Sequence, residues 1–195
     1  MSDGTKRKEA KREALRRAAL ELFKIHGFKK VTMNDIAQRA GVSQVTVFNH
    51  FGSKDELVRD VMKWFTTDLV EKYIAMTKSD LPFLEKLAAI VVDKTKVISQ
   101  FEGELVQEVL RDDPQLQAHI DDLYNNKLKP NIIRFFNEGA EQGYINRKYS
   151  ADSIMFYFEV MRRGFASIPD ITERMTKDPD LTNEIVDLMT YGLNG

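Results

Sequence analysis

Residues 32–51 read TMNDIAQRAGVSQVTVFNHF, and this stretch decides the fold because it holds two helix starts around one tight turn. Thr32 is a good N-cap, and Asp35 stands at the reciprocal position of a capping box. Apolar residues then recur at the spacing of an amphipathic helix, at Met33, Ile36, Ala37 and Ala40. Gly41 is expected to end this helix because glycine adopts a left-handed conformation without steric cost.

A second helix is predicted to begin about three residues after the first one ends. Ser43 is its N-cap, and Val42 and Val47 are spaced as a hydrophobic staple. Val47 and Phe51 point inward, which leaves five side chains outside: Gln44, Val45, Thr46, Asn49 and His50. Two short helices joined by so tight a turn must cross steeply. This is the helix-turn-helix arrangement, whose second helix enters the major groove of DNA.

The same pattern also occurs at corners of helical bundles that bind nothing, so the flanking residues matter. Ser53 and Glu56 are spaced as a further capping box and predict a third helix. Lys54 lies in its first turn, where a cation opposes the helix dipole. A nearby phosphate would explain this lysine, and the flank therefore favours DNA binding over a plain helical corner.

A larger set of residues in about the first third of the chain forms a signature: Phe23, His26-Gly27-Phe28, Thr32, Ile36-Ala37, Ala40-Gly41-Val42-Ser43, Thr46, Phe48, His50-Phe51 and Lys54-Asp55-Glu56-Leu57. It resembles the N-terminal signature of the TetR family of transcriptional regulators. The resemblance implies a homodimeric, ligand-responsive and usually repressing DNA-binding protein. Two positions depart from it. Val45 stands where small residues, often Gly, are common, and Phe48 replaces a Tyr whose hydroxyl commonly contacts a phosphate in relatives.

The composition of the 195-residue chain is that of an ordinary soluble globular protein, with 43% apolar and 30% charged residues. It contains no cysteine, which excludes disulfides, thiolate nucleophiles and cysteine metal sites. No apolar run approaches the length of a membrane span, and no apolar segment follows the basic N-terminus. We therefore expect a cytoplasmic protein with no membrane partner.

The charge is distributed unevenly along the chain. Residues 1–64 carry 14 Lys and Arg against 8 Asp and Glu, whereas residues 65–195 carry 15 against 22. A DNA duplex attracts the basic part through phosphate neutralisation and repels the acidic remainder. Residues 1–8 are expected to be disordered, either as a basic arm along the DNA or as a solubilising tail.

Helical spacing continues through the rest of the chain without strand-length alternation, so the predicted fold is all-α. We expect a helix-turn-helix DNA-binding domain at 1–53 and a helical regulatory and dimerisation domain at 54–195, connected by a helix over about 54–78. Pro130 should kink or split the helix that it interrupts. The other predicted helices cover about 9–26, 82–101, 104–111, 115–142, 152–168 and 179–193.

The last two predicted helices are apolar over more than one face, which a single core does not explain. The family resemblance implies that they pair with their symmetry mates in a four-helix dimer interface. Packing within one monomer is the alternative.

Aromatic and Met side chains are dense between Trp64 and Phe165, which predicts a mainly apolar pocket for a small-molecule effector. A filled core would use the same residues. Arg162 either pairs with Glu159 in its own helix or recognises an anionic ligand. The expected lining is Trp64, Phe65, Phe101, Tyr124, Phe136, Tyr157, Met161 and Arg162.

The leading hypothesis is a ligand-gated repressor that binds a double-stranded DNA operator as a homodimer. Gln44, Val45, Thr46 and Asn49 would lie nearest the bases, and Thr32, Phe48, His50 and Lys54 nearest the phosphates. An architectural DNA-binding protein without small-molecule control is the alternative.

An enzyme is disfavoured because no set of acid, base and nucleophile emerges from the sequence. No cofactor is expected, and no metal site either. His119 is the only histidine after residue 53, and no second histidine is spaced to join it as a ligand. We expect it at a solvated helix position.

Overall fold

The computed structural model describes residues 3–99 and 113–166, together with single residues between 168 and 191. Within these residues all regular structure is helical, as the sequence predicts. No helix in this part of the chain combines the length and apolar character that crossing a membrane requires. The helices are α1 (Asp3–Lys30), α2 (Met33–Ala40), α3 (Gln44–Phe51), α4 (Lys54–Thr77), α5 (Phe83–Ser99), α6 (Pro114–Asp122), a π-helical segment π1 (Leu123–Leu128), α7 (Lys129–Glu141) and α8 (Ala151–Ala166).

Two predicted helices cannot be compared in full with this structure. The helix expected at 104–111 lies outside the described residues. The helix expected at 179–193 is described only at some positions, and all of these are helical.

α1 begins at Asp3, well before its predicted start near Glu9. Residues 3–8, expected to be disordered, are helical because Lys6, Arg7 and Lys8, followed by Glu9 and Ala10, are residue types that favour helix. Arg16 Nη1 also donates to Glu9 Oε1 at 2.9 Å, which stabilises this end. Gly27 has φ 75° and ψ 160°, so the predicted break is confirmed there, although helical residues resume up to Lys30.

The chain divides into two compact units. The first comprises the described residues of Met1–Leu69 and Gln100–Asp122, and the second those of Val70–Ser99 and Leu123–Gly195. The first unit therefore contains part of α4 and all of α6 in addition to residues 3–53. α4 contributes residues to both units.

The core of the first unit draws on α1, α2, α3, α4 and α6. Leu116 of α6 is fully buried in the same cluster as the helix-turn-helix residues. Arg59 Nε of α4 donates to Asp113 Oδ2, directly before α6, at 2.5 Å. α6 is thus fixed to the first unit by apolar burial and by an ion pair. The most deeply buried side chains of this core include Leu15, Phe23, Ile36, Val47, Leu57, Val61 and Leu116.

His119 differs from its expected solvated position. It is half-buried, and its Nε2 lies 3.1 Å from Thr67 Oγ1 and 3.2 Å from the carbonyl oxygen of Lys63. The ring therefore joins α6 to α4. Within the described residues, no group of three or more His, Cys, Asp or Glu side chains is placed to hold a metal ion.

Aromatic stacking organises the core of the second unit. The ring of Phe83 on α5 stacks on Phe135 of α7, with centroids 4.7 Å apart, and on Tyr144, at 5.4 Å. A Cβ atom at Gly139 would lie 2.5 Å from ring atoms of Phe83. α7 therefore approaches Phe83 this closely because residue 139 has no side chain.

The predicted interruption at Pro130 takes the form of π1. Proline has no amide hydrogen, and in an α-helix its ring clashes with the carbonyl four residues earlier. The wider turn over Leu123–Leu128 comes directly before α7, whose first turn holds Pro130. The helix predicted over 115–142 is thus split into α6, π1 and α7.

Candidate nucleic-acid interface

α2 is held at both ends by the residues that the sequence pattern indicates. Thr32 Oγ1 accepts from the Asp35 amide at 3.2 Å, and Asp35 Oδ2 accepts from the Thr32 amide at 2.8 Å and from its hydroxyl at 2.7 Å. These bonds from Thr32 hold the pKa of the Asp35 carboxyl below its usual range. Gly41 has φ 67° in the left-handed region. The predicted capping box and the glycine stop are both confirmed.

α3 starts at a second cap and buries the predicted face. Ser43 Oγ accepts from the Thr46 amide at 3.2 Å. Val47 and Phe51 are buried, so the inward face is confirmed. Among the remaining side chains, Thr46 and His50 are half-buried, and the exposed ones are Gln44, Val45, Phe48 and Asn49.

The exposed face of α3 combines apolar and amide groups. Val45 is 67% exposed and Phe48 is 44% exposed. Apolar side chains of this kind can contact the methyl group of thymine in a major groove, and Gln or Asn side chains can pair with the edge of adenine. Gln44 and Asn49 supply those amides. The face therefore carries both kinds of group that distinguish base pairs.

Thr32 and Lys54, which the sequence pattern places near phosphates, already have partners within the protein. The Thr32 hydroxyl belongs to the α2 cap. Lys54 Nζ donates to the carbonyl oxygen of Lys29, near the end of α1, at 2.9 Å. Carbonyl oxygens at a helix C-terminus attract cations. This bond therefore accounts for a lysine in the first turn of α4, which the sequence alone attributes to a nearby phosphate.

His50 lies near the end of α3, within the field of charges on the N-terminal part of α1. Its Nδ1 is buried, and the part of the chain that the structure describes offers that atom no hydrogen-bond partner. Burial lowers the pKa of His50, and the positive charges of Lys8, Arg12 and Lys11 lower it further. These effects favour the neutral form of the imidazole.

A cluster of charges that the sequence pattern does not reveal joins α1 to α4. Arg12 Nη2 contacts Asp60 Oδ1 at 2.5 Å, and Arg16 Nε contacts Asp60 Oδ2 at 2.6 Å. Burial alone would raise the pKa of Asp60, but the hydrogen bonds and charges of Arg16 and Arg12 hold it below its usual range. The two arginines stand one turn apart in the sequence, but their shared partner lies 44 residues beyond Arg16.

The helix-turn-helix region matches a known family. Residues 15–61, from α1 through α2 and α3 into α4, match the profile of bacterial regulatory proteins of the tetR family. The helix-turn-helix region of the chain is thus that of the TetR family. The match supports a helix-turn-helix DNA-binding region of the kind found in regulators of transcription.

Proteins similar to this chain include regulators from several bacteria. The HTH-type transcriptional repressor KstR2 of Mycobacterium tuberculosis is 25% identical over 151 residues, which cover 74% of each chain. The HTH-type transcriptional regulator BetI of Agrobacterium fabrum is 40% identical over 81 residues, covering 42% of this chain and 39% of BetI. The regulator FadR from Bacillus subtilis, solved in complex with stearoyl-CoA, shares the fold with a TM-score of 0.63 at 18% identity, over 92% of this chain and 98% of FadR.

Two residues predicted to line an effector pocket pack against the core of the first unit. They are Trp64 and Phe65 of α4. The guanidinium of Arg17 lies 5.9 Å from the Trp64 ring centroid, and Lys24 Nζ lies 5.7 Å from that of Phe65. Cations of α1 thus cover both rings.

The other residues predicted to line the pocket lie in the second unit or outside the described residues. Phe136 is buried in the second core, and Tyr157 packs against that core. Tyr124 is 40% exposed, and Met161 is half-buried. The pocket residues are therefore distributed over two cores. Outside the described residues lie Phe101 and the side chain of Arg162.

Proposed function

We propose that this protein is a transcriptional repressor that binds a palindromic operator as a homodimer and releases it when a small apolar or amphipathic molecule binds. The observation that carries the proposal is the exposed face of α3. Gln44, Val45 and Asn49 stand free of the core on a helix fixed by caps and buried anchors, and Thr46 adjoins them. These four residues would lie nearest the bases.

The remaining contacts would hold α3 against the DNA backbone. The starts of α2 and α4 support this assignment because the amides at a helix N-terminus attract phosphate. Thr32, Phe48 and His50 would lie beside phosphates. Lys54 would exchange its bond to the Lys29 carbonyl for a phosphate oxygen, which is a stronger, charge-assisted partner.

A second copy of the chain is the partner that the apolar face of α8 would meet. Phe156 is 72% exposed and Val160, one turn later, is 51% exposed. Gly164 continues the row, and no atom lies within 4 Å of the position that a Cβ would take there. In a two-fold dimer the same face meets itself. Such a dimer presents two copies of α3 related by symmetry, which supports an operator that is an inverted repeat.

An apolar or amphipathic effector is supported by the aromatic content of residues 54–195 and by FadR, whose structure holds stearoyl-CoA. The pocket would use aromatic residues of the second unit, namely Tyr124, Phe136 and Tyr157. α4 follows α3 directly in the chain and contributes to both units. A ligand that prefers one arrangement of α4 would therefore shift DNA binding. A cytoplasmic location and a role without catalysis belong to the same proposal.

Selection of bound duplexes from a random pool tests the proposal most directly. We expect an enriched inverted repeat with half-sites about one helical turn, or about 10 base pairs, apart. Enrichment of single half-sites would contradict the dimer. Tight binding without enrichment would favour an architectural DNA-binding protein instead.

A further inference from the structure

Arg12 lies between three helices of the first unit. Its Nη2 donates to Asp60 Oδ1 at 2.5 Å and its Nε to Asp60 Oδ2 at 3.4 Å. The central carbon of its guanidinium lies 5.2 Å from the centroid of the Phe51 ring. The side chain therefore starts on α1, binds α4 and covers the last residue of α3.

The chemistry of arginine suits this position. The planar guanidinium presents a fork to the Asp60 carboxylate and a flat face to the Phe51 ring, which a lysine ammonium cannot do at once. The side chains of Arg12 and Asp60 are 35% and 20% exposed, so solvent screens this pair less than an open surface pair. The charge of Arg12 is already engaged by Asp60, which makes a phosphate contact unnecessary to explain it.

We propose that Arg12 is a positioning residue that fixes the C-terminal end of α3 for reading DNA sequence. This inference rests on the proposed function. The base contacts assigned to Gln44, Val45 and Asn49 depend on how α3 is held, whereas general attraction to phosphates does not. Loss of the Arg12 contact lowers discrimination between sequences more than it lowers affinity for DNA as such.

Arg12→Lys tests the positioning role. It retains the positive charge but removes the planar guanidinium, with its paired donors to Asp60 and its flat face against Phe51. Arg16→Lys is the matched control, since Arg16 shares the Asp60 carboxylate and otherwise pairs with Glu9 of its own helix. Each variant is titrated with the selected operator and with random-sequence DNA over a range of salt. We expect Arg12→Lys to lower the operator-to-random affinity ratio about three- to tenfold with an unchanged salt slope. Arg16→Lys should keep the ratio within about twofold of the wild type.

Three outcomes would overturn the proposal. Arg12→Lys could lose affinity equally for operator and random-sequence DNA, or it could leave the operator-to-random affinity ratio unchanged. Arg16→Lys could also lower that ratio as much as Arg12→Lys does. A measurement without DNA separates this proposal from the proposed function. The Gly52 amide donates to the Phe48 carbonyl at 2.7 Å, and its hydrogen exchange should be faster in Arg12→Lys than in Arg16→Lys. If the wild type enriches no sequence, the proposed function fails, while equal exchange in the two variants rejects the positioning role itself.

Discussion

Gln44 and Lys54 stand in the first turns of successive helices, yet their expected contacts with DNA differ in kind. Gln44→Ala should change the preferred sequence in a binding selection, because it removes an amide that can pair with a base edge. Lys54→Ala should weaken binding to all sequences evenly and lower the salt slope by about one unit, because one phosphate fewer is neutralised.

Equal, sequence-independent losses in the two variants would contradict the assignment of α3 to the bases. Lys54 also binds the carbonyl of Lys29, so thermal unfolding of Lys54→Ala must be followed alongside. A loss of affinity that tracks the loss of folded protein would assign Lys54 to the fold alone.

Phe48 allows a test by gain of affinity, because a hydroxyl would be added to a ring that is 44% exposed. Phe48→Tyr should tighten operator binding by about 0.5 to 1.5 kcal/mol, the net contribution of one hydrogen bond. The preferred sequence should not change, since the new partner is a phosphate. Titration against the selected operator measures the effect. Unchanged affinity in a folded variant would show that this ring does not lie beside a phosphate.

His50 makes the stability of the fold depend on pH. Burial, Lys8, Arg12 and Lys11 lower its pKa in the folded state, while the unfolded chain takes up the proton near the ordinary value of about 6.5. The unfolded state therefore binds more protons in mild acid, and the free energy of unfolding falls as pH drops below that value.

NMR titration of the His50 ring checks this expectation directly. The folded wild type should titrate below about 6.5, and Lys8→Gln should raise the pKa because a neighbouring positive charge is removed. A wild-type ring that titrates at or above the ordinary value would contradict the buried environment of His50. Denaturant unfolding at several pH values should show a weaker acid dependence in His50→Gln than in the wild type.

At the scale of helices, a feature is predictable from the sequence when its signal is local. The caps of α2 and α3 join Thr32 to Asp35 and Ser43 to Thr46, each pair three residues apart. Gly41 stands between them. Every determinant of the turn therefore lies within one short stretch, and the predicted register of both helices is confirmed.

Contacts between distant elements could not be predicted in this way. The carboxylate of Asp60 lies 48 residues from Arg12, and the Lys54 ammonium lies 25 residues from the carbonyl that it binds. Helical periodicity shows that such residues face outward from their own helix, but not which partner they meet. The sequence places Arg12 and Arg16 on one face of α1, but this spacing does not predict that Asp60 is their partner.

Gly139 tests how closely α7 packs within the second unit. In Gly139→Ala the new methyl group would lie 2.5 Å from ring atoms of Phe83, which is itself stacked on Phe135 and Tyr144. Overpacking of this kind costs about 1 to 3 kcal/mol, and the better helix propensity of Ala returns at most about 1 kcal/mol.

Gly139→Ala should therefore lower the free energy of unfolding by up to about 2 kcal/mol, measured by chemical denaturation. Gly4→Ala is the matched control, because no atom lies within 4 Å of a Cβ at that helical position. It should leave stability unchanged or raise it slightly. A stabilised Gly139→Ala variant would show that Phe83 can move aside without loss.

For the whole molecule, composition does not distinguish a filled core from a ligand pocket. Phe136 and Tyr157 belong to one core and Trp64 and Phe65 pack against another, although all four were expected to line one pocket. Aromatic density indicates that apolar surface is enclosed. It does not indicate which side chains face each other, because that depends on how separate helices assemble.

Ligand gating makes a reciprocal prediction for the intact protein. If an effector weakens operator binding, operator DNA must weaken effector binding by the same factor, with a coupling of about 1 to 3 kcal/mol. Calorimetry with stearoyl-CoA, in the presence and absence of the selected operator, measures this coupling. Identical affinities in the two titrations would reject gating by that compound. If no heat is measured when the compound is titrated in the absence of operator, the compound does not bind.

The burial of Leu116 limits how this regulator can be divided. A fragment that ends at Leu69 would lack α6, leave Arg59 without Asp113 and uncover the apolar side chains that Leu116 covers. Complete burial of one leucine side chain contributes about 1.5 to 3 kcal/mol. In a hybrid regulator made by exchanging only the N-terminal segment, α6 would therefore pack against helices α1–α4 of another protein, whose surface it does not fit. The part that can be exchanged intact is discontinuous in the chain.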